Sequence, residues 1–463
     1  MEESSATLQS AVPAAGTGAR RMNGFLVVFN GVMANGSFAC LNGAIVLAPL
    51  IQTLTGSTAW AGSMYTLGVA AMTLPQLLVS GYTESRPYKL PVYKLGSYFR
   101  SFGWLFGALL LFIWGPELAE THGLWLAVGV TLSVILAGLA NGFTFLAFQD
   151  VVAKVIPAEL RERYFGMRLF WGRALQIALT ISFMPWVLGA TERFPFPQNY
   201  ALLFAASFVF VALAVGSFWF IKEPAGSSRP GQTLRGQFAA GLELLRTNRN
   251  FKQLLAFRLL NLFGTMSHGV VTVFALDALS GLGVAGDKAD ADYGRLAAHA
   301  QSLFMLAMVV AECLAAGAWG WLVGRFSVGT GMVLGTAVRL VLSVGAAAAG
   351  PVLRALGADH GACLAVVCGL YVLQGISAVT LFIEIEALVL DLAPEDKRPT
   401  FVGFLNALAF LPTVLCPILG GLLAQYLGYE VAFGAMAVFN VAALFVARNL
   451  GVLKAAARGH DIE

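Results

Sequence analysis

Charge is scarce in this chain: of 463 residues only 12% are Asp, Glu, Lys or Arg, while 58% are hydrophobic. Soluble domains carry about 25% charged and about 45–50% apolar residues, which excludes a water-facing globule as the whole-chain architecture. Lipid is the main solvent. Cysteine is scarce too. The five present, Cys40, Cys313, Cys363, Cys368 and Cys416, are odd in number and fall within or at the edge of apolar stretches, leaving neither a disulfide framework nor a Cys-x-x-Cys metal spacing. No lysine follows a glycine, so the Gly-x-x-x-x-Gly-Lys loop that cradles nucleotide phosphates is missing and ATP is not the expected driver. Gly-x-Ser-x-Gly and His-Glu-x-x-His are missing as well, and the five histidines are scattered, which argues against a membrane enzyme. Neither a cofactor nor a metal is expected. The acids Asp287, Asp290 and Asp292 lack the Gly and terminal Glu of a calcium loop and read as a solvated connection.

What the chain has in abundance is apolar stretches of spanning length, about 20 residues each. Twelve are expected, at 24–52, 57–81, 95–115, 123–149, 168–190, 199–221, 252–277, 297–323, 328–350, 362–390, 401–427 and 430–452. With the N-terminus inside, twenty-two Lys and Arg fall on the cytoplasmic side and four outside, with Arg173, Arg258 and Arg339 left within spans. The excess is a topology signal and not a nucleic-acid surface. Both termini are therefore expected in the cytoplasm of a plasma membrane, the bacterial inner membrane by preference. Residues 1–20 lack the apolar core of a signal peptide, so the first span is expected to be uncleaved. The expected fold class is an all-α membrane protein with twelve transmembrane helices in two pseudo-symmetric six-helix bundles. Its parts are a tail at 1–22, a bundle at 23–221, a linker at 222–250 with a surface helix around Gly241–Arg246, a second bundle at 251–452, and a tail at 453–463.

The halves repeat each other. Pro157, Arg161 and Gly166 recur as Pro394, Arg398 and Gly403, at an offset of 237 residues. Gly81 and Arg86 recur as Gly320 and Arg325, and Arg100 recurs as Arg339, at an offset of 239; a two-residue length change between the copies accounts for the difference, and the Arg100–Arg339 correspondence points to a shared brace. Duplicated bundles of this kind build many secondary transporters, with the substrate near the membrane midplane.

Two six-span halves, a long central linker and the run Gly81-Tyr82-Thr83-Glu84-Ser85-Arg86-Pro87-Tyr88-Lys89 resemble the major facilitator superfamily over residues 22–452. The signature of that family after span 2 is Gly-x-x-x-Asp-Arg-x-Gly-Arg-Arg. Here Ser85 stands for the Asp and Tyr88 for the second Gly, and the copy at Gly320–Arg325 lacks an acid. Glu84, Arg161, Arg325 and Arg398 become candidates for a cytoplasmic gate; as bland an alternative is that they set topology alone. The resemblance also implies that spans 1, 4, 7 and 10 line the cavity, which makes Asn30, Asn35, Asn141, Asn261 and Gln374 candidate substrate contacts. Packing glue between helices is the competing reading for each Asn.

Ionisable groups within spans are costly in hydrocarbon and need a partner or a task. Glu312 stands in span 8 with no other charge within a dozen residues on either side. It is a candidate proton carrier, or else a structural carboxylate paired to Arg339 or Arg258. In span 10, Glu384 continues the stripe of Gln374, Ser377 and Thr380, whereas Glu386 falls off it. His268 is deep in span 7 and joins Glu312 and Glu384 as a coupling candidate. Arg173 and Arg258 are close enough to span ends to snorkel, and with His268 they lean toward an anionic or amphiphilic solute. The expected function is a proton-coupled secondary transporter of a small organic solute, acting as a monomer. The alternatives are an uncoupled facilitator, or a receptor or assembly factor on the same scaffold.

Overall fold

The structure, a computed structural model, describes residues 17–84, 86–189, 193–225, 234–281, 291–325, 328–392 and 398–460. Each span expected from the sequence is mainly helical among the described residues. Ten stretches among the described residues are long and apolar enough to cross a membrane, and spans 2 (Thr58–Glu84) and 5 (Ala158–Ile181, then Phe183–Gly189) run beside them. The remaining helices are span 3 from Leu90, span 4 at Gly123–Val155, span 6 at Gln198–Phe218, span 8 at Ala291–Arg325, span 9 at Val328–Ala355, span 10 at His360–Leu392, span 11 at Arg398–Leu427 and span 12 at Tyr429–His460. Large apolar side chains such as Phe170, Leu314 and Phe445 stand exposed on the outside, as a surface solvated by lipid tails requires.

Spans 1 and 7 are interrupted at similar depth. Span 1 runs Thr17–Cys40, pauses, and resumes as a π-turn at Gly43–Leu47 and a helix at Ala48–Thr55. The cause is Asn42, whose backbone is extended and whose side-chain oxygen accepts from the amides of Ala44 and Ile45, the geometry of an N-cap. Span 7 runs Arg249–Gly264, turns through Thr265–Ser267, and resumes at His268–Val270 and Val271–Gly281. The Thr265 hydroxyl donates back to the carbonyls of Asn261 and Leu262, a local bond that competes with helix continuation. The linker carries a helix at Leu234–Thr247, and Gly241 of that helix lies against Phe404 of span 11.

The halves meet along two seams, span 2 against span 11 and span 5 against span 8. Thr66 donates to the Thr413 carbonyl at 3.0 Å, and the Ser57 hydroxyl to Gln425 at 3.3 Å. A Cβ on Gly421 would meet the Ala59 backbone at 2.5 Å, and one on Gly269 would collide with the Gly62 carbonyl, so the backbones there touch only because side chains are missing.

The apolar core shows which end is closed. At the end away from the termini, one buried cluster joins both halves, from Ile45 and Leu50 through Val270 and Phe274 to Phe304 and Phe433. At the end carrying the termini, the described core is split into one cluster within the first half, around Val27, Tyr93 and Phe218, and another within the second, around Phe251, Phe257 and Phe404. The far end is fused and the terminal end divided.

Inside the first bundle, the Glu223 carboxylate accepts from the amides of Lys89 and Leu90 and pairs with Lys154 at 2.6 Å. Leu90 opens span 3, so the acid sits on the positive end of that helix and ties it to the ends of spans 4 and 6.

Candidate functional site

Where spans 5 and 8 meet, about 20 Å from the terminal end by helical rise, Arg173 Nη1 stands 2.5 Å from Glu312 Oε2. The two side chains are 25% and 11% exposed. Arg173 also donates to Gln176 Oε1 at 2.9 Å, which fixes the guanidinium on the seam. This departs from expectation on two counts. Arg173 does not snorkel, and the partner of Glu312 is neither Arg339 nor Arg258; the lateral packing of spans 5 and 8 brings Arg173 nearer than either.

Three more spans reach the same level. Tyr65 of span 2 meets the His268 ring edge-on, with centroids 5.9 Å apart, and lies within electrostatic reach of Glu312. Tyr371 of span 10 bonds to the Thr272 hydroxyl and stacks on Phe304. One turn further along span 10, Gln374 is 2% exposed and neither its amide nitrogen nor its oxygen has a partner; both ring nitrogens of buried His268 are likewise unpartnered. Buried polar atoms are ordinarily satisfied, so unsatisfied ones gathered between two halves mark a place for a polar guest. Sequence reasoning had Glu312, His268, Arg173 and Gln374, and the fold brings these four into one region. It missed Tyr65, Gln176 and Tyr371, which no spacing in the sequence distinguishes from other span residues.

A second polar group lies within the first bundle. Arg100 of span 3 donates to Asn141 of span 4 at 3.0 Å. Arg168 of span 5 lies over the Phe148 ring, 4.3 Å from its centroid, and across Gly31 of span 1, where a Cβ would collide with it. The Asn30 amide donates to the Tyr93 hydroxyl at 2.8 Å and to the Ala214 carbonyl at 2.7 Å. The second half repeats part of this: buried Arg339 donates to Thr380 at 3.2 Å and to Thr336 at 2.9 Å. Asn141 and Thr380 follow their arginines by the same 41 residues, so one span-to-span brace occurs in each half. The sequence counted Arg100 and Arg168 among the cytoplasmic cations; both stand ten residues inside their helices.

The other candidates divide. Asn30 is committed within its bundle, Asn35 donates to the Gly31 carbonyl and lies against Gly172 of span 5, and Asn261 is buried and donates to the Phe257 carbonyl. Arg258 is half-buried in span 7, and Arg325 is exposed in the last turn of span 8. The side chains of Glu84, Arg161, Glu384 and Arg398 lie outside the described residues. A cavity of about 680 Å³ lies elsewhere: it opens between spans 3 and 4, lined by Leu95, Phe99, Leu136, Phe143 and Arg86. Its apolar walls and lipid-side position set it apart from the seam, and the unsatisfied polar atoms make the seam the better candidate for a solute site.

Residues 269–460 match the model of the Major Facilitator Superfamily. No curated protein sequence matches the chain. Among solved structures, a point-mutant form of the nucleoside transporter NupG aligns with a TM-score of 0.66 at 14% identity, covering 92% of this chain and 99% of the other. A D-xylose–proton symporter aligns with a TM-score of 0.63 at 14% identity, covering 92% and 96%. A POT family transporter in complex with a thioalcohol-conjugated peptide aligns with a TM-score of 0.65 at 13% identity, covering 94% and 96%. Those likenesses fix the fold across both halves, and the second half, residues 269–460, is similar to the Major Facilitator Superfamily.

Proposed function

We propose that the chain is a proton-coupled secondary transporter that carries a small organic solute by alternating access, as a monomer in a plasma membrane with both termini in the cytoplasm. The observation that carries this reading is the Arg173–Glu312 pair, an acid from one half and a base from the other meeting in the interior. A proton on Glu312 abolishes the attraction that holds spans 5 and 8 together at this level. The pair therefore links occupancy by a proton to the fit between halves, and a ligand moves such an equilibrium only through its different affinity for the two states. His268, Tyr65 and Gln374 supply uncommitted polar groups at the same level. The fused far end and divided terminal end are what an inward-facing member of such a cycle has. That a D-xylose–proton symporter shares the fold adds support.

The test is Glu312→Gln in proteoliposomes, with the solute chosen by ligand-dependent thermal stabilisation. Accumulation driven by an imposed proton gradient is expected to stop while solute exchange at equal concentrations continues. Undiminished accumulation by the variant would remove Glu312 as the coupling group.

A further inference from the structure

Arg100 and Arg168 are cations within the first bundle, about 15 Å along their helices from the terminal end, and among the described residues neither pairs with an acid. Among described groups, Arg100 is bonded to the neutral amide of Asn141, and Arg168 is in contact with the Phe148 ring while its buried Nη1 has no hydrogen-bond partner. The neighbouring charge that acts on Arg168 is the like charge of Arg100, which is repulsive. Two other interior cations have an acid: Arg173 has Glu312, and Lys154 has Glu223. A pair of half-buried guanidiniums with no counter-charge among the described residues is costly. An anion that arrives from outside the protein would supply the missing counter-charge.

Local geometry favours that. Gly31 leaves the space on span 1 that Arg168 occupies, and Phe148 holds the guanidinium plane from one face, with Tyr93 beside it at 6.3 Å between ring centroids. An arginine held by an aromatic face keeps its edge nitrogens for a planar or tetrahedral oxyanion. The group stands on the terminal side of the fused core, where the described apolar core is divided between the halves.

We infer that Arg168 and Arg100 form the subsite for an anionic group of the transported solute, a carboxylate or a phosphate ester, so that the solute class is organic anions. This rests on the transporter reading above. Arg168 is the group that touches the oxyanion, and Arg100, held by Asn141, supplies the second positive charge.

The experiment uses the purified full chain in nanodiscs at fixed ionic strength, with matched probes: benzoate against benzamide, lactate against lactamide, and glucose 6-phosphate against glucose. Thermal unfolding gives the shift and its concentration dependence for each. The expected result is that at least one anion stabilises the protein at concentrations ten or more times lower than its neutral counterpart. Arg168→Gln should weaken that anion at least tenfold, whereas Arg168→Lys, which keeps charge without the fork, should weaken it less. Arg354→Gln, on an exposed arginine paired with Glu430 at the far end, should leave the shift unchanged. If Arg168→Gln does not fold, Arg100→Gln takes its place with the same expected loss. Neutral probes binding as well as anions, equal shifts in wild type and Arg168→Gln, or no shift by any anion would overturn the subsite. The first of these outcomes, followed by uptake of the neutral probe into proteoliposomes, would leave the transporter reading standing; anion binding without uptake of any bound probe would sink the transporter reading and keep the site.

Discussion

Neutralising Arg173 and Glu312 singly and together tests the centre of the proposed mechanism. The charges approach to 2.5 Å with side chains 25% and 11% exposed, so neither bulk water nor a dry interior describes the medium. At an effective dielectric of about 20 and charge centres about 4 Å apart, their attraction is about 4 kcal/mol. Removing one partner also leaves the other charge stranded, and for buried pairs the combined loss is about 3–5 kcal/mol. Glu312→Gln and Arg173→Gln should each destabilise by an amount near the lower end of that range, because Arg173 retains partial solvent contact and its bond to Gln176. The double variant should lose less than either single, since two neutral amides can satisfy each other. A double-mutant cycle on equilibrium unfolding in mixed micelles reads the coupling directly, and about 3–5 kcal/mol is expected. Losses that add to within about 0.5 kcal/mol would mean independent sites, and the reasoning from the seam would fail.

Other outcomes follow from named contacts. Glu223→Gln removes the charge on the span 3 helix terminus and strands Lys154; a loss of about 1–3 kcal/mol is expected, read as faster hydrogen exchange confined to the amides of Lys89, Leu90 and the following turn. Gly421→Ala places a Cβ 2.5 Å from the Ala59 backbone, so a cysteine at Thr413 should become more reactive to a membrane-impermeant maleimide added outside; unchanged labelling would mean that the seam accommodates the methyl. Arg339→Gln should lower thermal stability more than Arg354→Gln, because the first is buried in a brace and the second is an exposed pair at the surface. Cysteines introduced at Thr83 and Asp290 should be labelled from the cytoplasm and from outside respectively, and the reverse pattern would invert the charge-derived topology.

What the sequence disclosed and what it hid divide along physical lines. Span lengths and the duplication were legible because hydrocarbon thickness and repeat offsets leave one-dimensional traces. The offset that links Arg100 to Arg339 also links their acceptors, yet Asn141 and Thr380 differ in identity, so the brace was visible at only one of its ends. Span 1 was expected unbroken at 24–52, and the Asn42 cap that interrupts it was not read from the sequence. Nor was the Thr265 back-bond that accompanies the span 7 break. Arg173 and Glu312 belong to different halves, and no periodicity within one helix can pair them; only the lateral packing of spans 5 and 8 does. Arg168 was misplaced because a short distance from a loop in sequence is still about two helical turns into the interior.

Gly62, Gly269 and Gly421 give the fused end a property that side chains could not. A barrier of interlocked side chains breathes whenever one of them changes rotamer, and each such gap is wide enough for a file of water. Here the nearest neighbours of the would-be Cβ atoms include the Gly62 carbonyl and the main chain of Thr58 and Ala59, none of which can rotate away by itself. Leakage through that contact requires the two bundles to part as bodies. In the proposed proton-coupled carrier, this would keep the idle protein from draining the gradient.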